Sequence, residues 1–319
     1  MPAIALRLAP EYMRRWLPLL TLVALILIVG ASQPEFLDPG HLLDLAGDTA
    51  VLFVLASGVS FAIMLGGIDL SIEAMASLAS VVVALTVGRL GYASFVLAVL
   101  IGAIAGWLGG LAHVKLKIPS FIATLAVGGV LSGIALVISH ERSITLVESE
   151  RGYLGWITDV SFGVPHEVII GAVLLMAADI VQRRTSFGRY SAAIGAGEAA
   201  AYASGVKVGR QKIIAFILSG SFAAFAGVML AGRLTSGSPT LATGLLLPAI
   251  AAVVVGGTAI TGGVGSIWRT LIGALIISVV RTGMTFLGID IFAQQIVFGA
   301  VLVFAVAVTI DRSKIPIVK

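Results

Sequence analysis

The chain contains no cysteine and little charge: of 319 residues only 11% are Asp, Glu, Lys or Arg, against about 25% in soluble globular proteins. The first absence excludes disulfides and thiolate chemistry, although it does not fix a compartment. The second means that water cannot solvate most of the surface. Two further absences concern chemistry. None of the lysines follows a glycine, so there is no GxxxxGKS/T phosphate loop, and ATP is not bound here in the Walker manner. The four histidines, at 41, 113, 140 and 166, are scattered over loops and span ends, with no HExxH pair. No catalytic set and no metal site is expected. Alternating segments of about ten residues are also missing, which excludes a transmembrane β-barrel.

What is present is apolar. Hydrophobic residues make up 59% of the chain, and the mean hydropathy is +1.10. Lipid is the solvent for such a composition. Apolar runs predict ten spans, at about 16–32, 49–67, 71–88, 93–114, 121–139, 167–181, 213–231, 246–262, 266–287 and 292–310. The 38 glycines suit helices that approach closely in lipid, where packing drives association. The expected fold is an all-α polytopic membrane protein, a single domain over 1–319 built as a bundle of about ten transmembrane helices. The run LPLLTLVALILIVGAS after Arg14 and Arg15 resembles a signal peptide. The many spans that follow favour a retained first helix.

Charge sets the orientation. With ten alternating spans and a cytoplasmic N-terminus, the inside holds Arg7, Arg14, Arg15, Lys115, Lys117, Arg183, Arg184, Arg189, Lys207, Arg210, Lys212, Arg269, Arg312, Lys314 and Lys319. The outside holds Arg89, Arg142, Arg151, Arg233 and Arg281. That asymmetry predicts both termini in the cytoplasm. It also accounts for the pI near 9.6 without a nucleic-acid partner.

One cytoplasmic stretch, 183–212, is not explained by topology alone. It reads RRTSFGRYSAAIGAGEAAAYASGVKVGRQK between two apolar runs. Within it, Glu198 to Ser204 are mostly helix formers, preceded by Gly197 and followed by Gly205 as a helix stop. The acid lies in the first turn, where the helix dipole favours an anion. The expected sequence is loop, short helix, glycine, basic return. Two turns of helix are unstable alone in water, and the natural support is a groove on a second protein.

The stretch resembles the cytoplasmic coupling loop of permease subunits of bacterial ABC importers, in the ribose, xylose and galactose transporter family. Phe187-Gly188-Arg189, Ala193-Ile194-Gly195, Ala200-Ala201 and Ser204-Gly205-Val206 carry that resemblance. Two other blocks agree: GGIDLS at Gly66–Ser71, and GGTAITGGVGSIWRTLIGALI at Gly256–Ile276, followed by Arg281-Thr282-Gly283 and Gln294-Gln295-Ile296. The chain departs from the family pattern at Ala196-Gly197, where the family has Gly-Asn, and at Glu198-Ala199, where it has Pro-Glu. Tyr202 stands in place of its Arg, and Ile72-Glu73-Ala74 in place of Val-Gly-Ser. The resemblance implies an importer permease for a monosaccharide in the bacterial inner membrane. ATP and Mg would be bound by a separate cytoplasmic ATPase, and a periplasmic solute-binding protein and a second permease copy would complete it. Contacts to the ATPase would fall on Gly195, Gly197, Glu198, Ala200, Ala201, Tyr202, Ser204 and Gly205.

Candidate path residues are the polar ones inside apolar blocks: Asp69, Ser71, Glu73, Thr258, Thr261, Gln294 and Gln295. An acid at the bilayer centre costs roughly 2.5–3.5 kcal/mol, so Asp69 and Glu73 need a cavity, a partner or an interfacial position. Span counting sets both near the inner boundary. They share one face if their segment is helical, while Asp69 also fits a helix start. GGTAITGG reads either as a cytoplasmic turn or as a broken helix lining the path. Its Gly256-Gly257-x-x-x-Thr261 is faintly similar to Gly66-Gly67-x-x-x-Ser71. Arg281 and Thr282 fit interfacial snorkelling or contact with solute or binding protein. A self-sufficient secondary transporter or channel would need a polar cluster at mid-depth, and none is evident.

Overall fold

A computed structural model describes residues 11–309. The termini, with Arg7, Arg312, Lys314 and Lys319, lie outside the described residues. The major helices are α1 (Glu11–Ser32), α2 (Pro39–Met64), α3 (Ile72–Leu90), α4 (Ala93–Lys115) and α5 (Ser120–Ser139). An outer excursion follows, with α6 (Glu148–Arg151), α7 (Gly155–Thr158) and two-residue strands β1 (Ile144–Thr145), β2 (Val160–Ser161) and β3 (Val164–Pro165). Then come α8 (His166–Arg184), α9 (Ser186–Ala196), α10 (Glu198–Ala203) and α11 (Val208–Arg233). The chain closes with β4 (Ser236–Gly237), α12 (Leu246–Val255), α13 (Ile267–Phe286) and α14 (Ile291–Thr309). Among the described residues six helices, α2, α3, α4, α5, α11 and α13, are long and apolar enough to cross a membrane. Apolar stretches of α1, α12 and α14 are shorter. Glu167, Asp179, Arg183 and Arg184 make α8 more polar.

The core sits around α2, which from Thr49 to Met64 is buried on every side. Helix α11 packs on α2, α3 and α4, and α13 packs on α2, α12 and α1. At the α4–α11 crossing, Gly102, Gly106 and Gly110 face Gly220, Phe216 and Ile213 so closely that any Cβ on these glycines would meet opposing backbone. Small residues let these backbones touch. At the outer end, the Arg233 guanidinium holds Glu167 (2.6 Å) and Asp48 (3.0 Å), tying α11, α8 and α2.

Two connections run through the bundle as chain outside the main helices. After α2, residues 65–71 turn back along α5: Ile68 N–H donates to Ser120 Oγ and Leu70 N–H to Thr124 Oγ1, both at 3.0 Å. After α11, residues 234–245 descend along α3. Ser238 N–H donates to Ser80 Oγ (3.2 Å), Ala242 N–H to Ser77 Oγ (3.1 Å), and Gly244 N–H to Glu73 Oε2 (3.1 Å). Backbone amides without water must find partners in the protein. The polar side chains of α3 and α5 supply them.

Three expectations change. The span at 246–262 is helical only to Val255, because Gly257 (φ +93) reverses the chain and Thr258 N–H closes onto Val253 O. Asp69 precedes α3 rather than sharing its face with Glu73. It also does not lie at the inner end: it is fully buried opposite Ser219, which is about 16 Å along α11 at 1.5 Å per residue. Third, residues 186–196 form a helix, not a loop, started by Thr185, whose hydroxyl accepts from Gly188 N–H.

Candidate functional site: an exposed short helix and a mid-bundle clamp

The residues expected to contact an ATPase lie on α9, α10 and the turn after them. Helix α10 buries Ala201 and leaves Glu198, Ala200, Tyr202 and Ser204 exposed, Tyr202 at 74%. Gly205 (φ +82) ends the helix, with its N–H on Tyr202 O and Val206 N–H on Ala201 O. Lys212 Nζ donates to both Glu198 oxygens at 2.8 and 2.9 Å, fastening α10 to the first turns of α11. Behind this pair is a cavity of about 270 Å³ lined by Gly66, His113, Glu198, Lys212, Phe216 and Thr261, among others.

Gly195 and Gly197 are the joint between α9 and α10. Gly195 lies directly against Gly263 and the carbonyl of Met64, where a Cβ would strike both. Gly263 N–H donates to that same Met64 carbonyl at 3.0 Å. GGTAITGG is therefore a turn, seated between the end of α2 and the end of α9. Thr261 is exposed in this turn, with its carbonyl beside Gly66, so the two Gly-Gly segments meet. Thr258 is fully buried beside Gly265, and its hydroxyl has no hydrogen-bond partner.

The remaining candidates separate into two clusters. Asp69 Oδ1 accepts from Ser71 N–H (2.9 Å) and Ser71 Oγ (2.6 Å), a self-contained start to α3; Oδ2 is unpaired. In the other cluster, Glu73 Oε2 accepts from Gly244 N–H and Leu246 N–H (3.1 and 3.2 Å), while Gln295 Nε2 donates to Gly244 O (3.2 Å). The Gly244 peptide units are thus held from α3 on one side and α14 on the other. Glu73 and Gln295 are only half-buried, and Thr240 and Thr243 beside them are exposed. Gln294 is 2% exposed and turned away, donating to Thr285 Oγ1 and Ile289 O.

The sequence gives little sign of four participants. Gln182 is a lone amide in the last turn of α8 beside two arginines, and reads as a boundary residue. Its Nε2 donates to Gly265 O (2.8 Å) and its Oε1 accepts from Ile267 N–H (2.9 Å), gripping the turn before α13. Gly244, Ser219 and the Met64 carbonyl act through backbone or depth, which composition does not reveal.

A bundle of apolar helices, two of its crossings part non-helical, with an exposed helical projection at one end, is the architecture of a polytopic membrane protein. The family model described as branched-chain amino acid transport system / permease component matches residues 41–306, and the chain belongs to that family. It is 38% identical over 301 residues to the ribose import permease protein RbsC of Bacillus subtilis, covering 93% of this chain and 92% of that one. It is 36% identical over 295 residues to the probable ABC transporter permease protein YphD of Escherichia coli (92% and 88% covered). It is 35% identical over 272 residues to the L-arabinose transport system permease protein AraH of the same organism (82% and 79% covered). The chain is a permease component of the bacterial inner membrane.

Proposed function

We propose that this chain is the permease subunit of an ABC importer that moves a monosaccharide across the cell membrane as one transmembrane domain over 1–319. Ten crossings alternate, made by α1–α5, α8, α11, residues 234–245 together with the half-helix α12, α13 and α14, with both termini cytoplasmic. ATP and Mg are bound by a separate ATPase whose groove receives α10. A periplasmic binding protein delivers the sugar, and a second copy of the chain completes the path as a homodimer.

The observation that carries this reading is the surface of α10. Glu198, Ala200, Tyr202 and Ser204 stand exposed on a helix too short to persist unsupported, at the end of the bundle richest in Lys and Arg. The sugar class is supported by similarity to ribose and arabinose permeases along most of the chain. Of the path candidates within the bundle, Glu73 and Gln295 are the ones with surface to offer a solute. Polar groups exposed at mid-bundle fit a water-filled path better than lipid. Asp69, Ser71, Thr258 and Gln294 shape the backbone around it, and Thr261 lies at the cytoplasmic mouth.

The test is uptake into proteoliposomes holding the chain with its co-purified ATPase and binding protein. D-Ribose, L-arabinose and L-leucine are offered in parallel, the last because of the family's description. Pentose uptake that stops with Gly205→Pro or Ala200→Trp, while the variants still insert, is the expected result. Proline cannot adopt the positive φ of Gly205, and Ala200 is exposed. Normal uptake by both variants, or uptake of leucine alone, would overturn the reading.

A further inference from the structure

We propose that half-helix α12 is a lever joining the cytoplasmic turn under α9 to the Gly244 clamp, with Glu73 and Gln295 as positioning residues that fix its far end in the path. This rests on the importer reading and adds a route by which movement at α10 reaches the solute.

The links are contiguous, and most are backbone against backbone. Helix α10 continues into α9 through Gly197. At the end of α9, Gly195 and Ala196 lie against Gly263, and a Cβ on Gly263 would come within 2.8 Å of Ala196 N. Gly262 fits against Gly66 N, Gly195 Cα and the Met64 carbonyl, where its Cβ would come within 3.1 Å of each. The atoms that meet where Gly195, Ala196, Gly262 and Gly263 touch are backbone, so a movement of α9 presses directly on the turn. The turn is short and internally bonded: Ala259 N–H donates to Val264 O, Gly262 N–H to Ala259 O, and Thr258 N–H to Val253 O inside α12. Gln182 holds its other end at Gly265 and Ile267.

Helix α12 is ten residues long and buried from Pro248 to Val254. It is backed by α13 where Gly273 meets the carbonyl of Ala252. A short helix so packed shifts as a body rather than bending. Its first turn lacks a cap of its own. Glu73 caps it from another helix, accepting the Leu246 N–H, and at the same time holds the Gly244 N–H. Gln295 takes the Gly244 carbonyl. The lever therefore ends in three hydrogen bonds from two other helices at a half-exposed place. A shift of the turn must either carry Glu73 and Gln295 with it or break those bonds, and both outcomes change the path.

The absence of native cysteine makes labelling direct. The full chain, in nanodiscs with its ATPase, carries spin labels at Thr243→Cys and Leu234→Cys, and in a second sample at Ser204→Cys. With ATP and Mg, the 234–243 distance should shift by about 2 Å or more. Gly263→Val should abolish the shift and Gln182→Ala should at least halve it. A shift retained in both variants overturns the lever. A Ser204 label that responds while Thr243 stays silent overturns the lever and spares the importer reading, whereas silence at both positions overturns both. Uptake separates positioning from plain stability. D-Ribose moved per ATP hydrolysed should fall about tenfold in Glu73→Ala and clearly less in Glu73→Gln, which keeps an acceptor oxygen for the clamp. An unchanged ratio in Glu73→Ala, with uptake and hydrolysis falling together, would sink the positioning role.

Discussion

The two connections through the bundle solve one problem in different ways. Residues 65–71 are anchored partly within the segment, where Asp69 satisfies Ser71 two positions on, and partly by two hydroxyls from a single helix, α5. Residues 234–245 are anchored by remote partners: Ser80, Ser77 and Glu73 from α3, and Gln295 from α14. Asp69 is fully buried, while much of 239–247 is half-exposed. The first connection is fixed where it is made. The second depends on how α3, α12 and α14 sit relative to one another, so it can report and follow their movement.

Substitutions at four positions test that contrast. Asp69→Ala should cost the most, about 3 kcal/mol of stability in detergent unfolding, because a buried N–H and hydroxyl lose their acceptor. Asp69→Asn keeps an acceptor oxygen and should stay within about 1 kcal/mol of the parent; an equal loss in both would mean that the charge, not the bond, holds the segment. Glu73→Ala frees two amides in a half-exposed place and should cost about 1–2 kcal/mol, with a larger loss of coupled uptake than of stability. Ser77→Ala removes one anchor, the bond to Ala242 N–H, at about 1 kcal/mol. Gln295→Ala should have the smallest effect on unfolding, under about 1 kcal/mol, since Gly244 O can find water there, and should be visible chiefly as greater mobility of a label at Thr243. If Gln295→Ala destabilised as much as Asp69→Ala, the contrast between a local and a remote anchor would be gone.

Most helices were legible because length and hydropathy are local properties. The span expected at 93–114 is helix Ala93–Lys115, and that at 121–139 is Ser120–Ser139. The stop at Gly205 was legible for the same reason: a glycine after a run of helix formers marks a left-handed cap. The helix at 186–196 was missed because Gly188, Tyr190 and Gly195 depress its propensity, and its stability comes from burying Phe187, Ser191 and Ile194 against the bundle. Asp69 and Glu73 looked alike as acids four residues apart. Their difference arises where α3 begins, one residue after Ser71, and from which distant amides reach each carboxylate.

By itself the sequence determined the solvent, the approximate spans, the basic end and the exposed short helix, since composition, run length and charge need no partner to be read. Only the tertiary structure decided which amides Glu73 caps, that Gln182 grips the turn before α13, and that Gly195 and Gly263 touch. Each of these contacts joins residues dozens of positions apart, and their specificity lies in backbone geometry, which side-chain identity in one stretch does not encode.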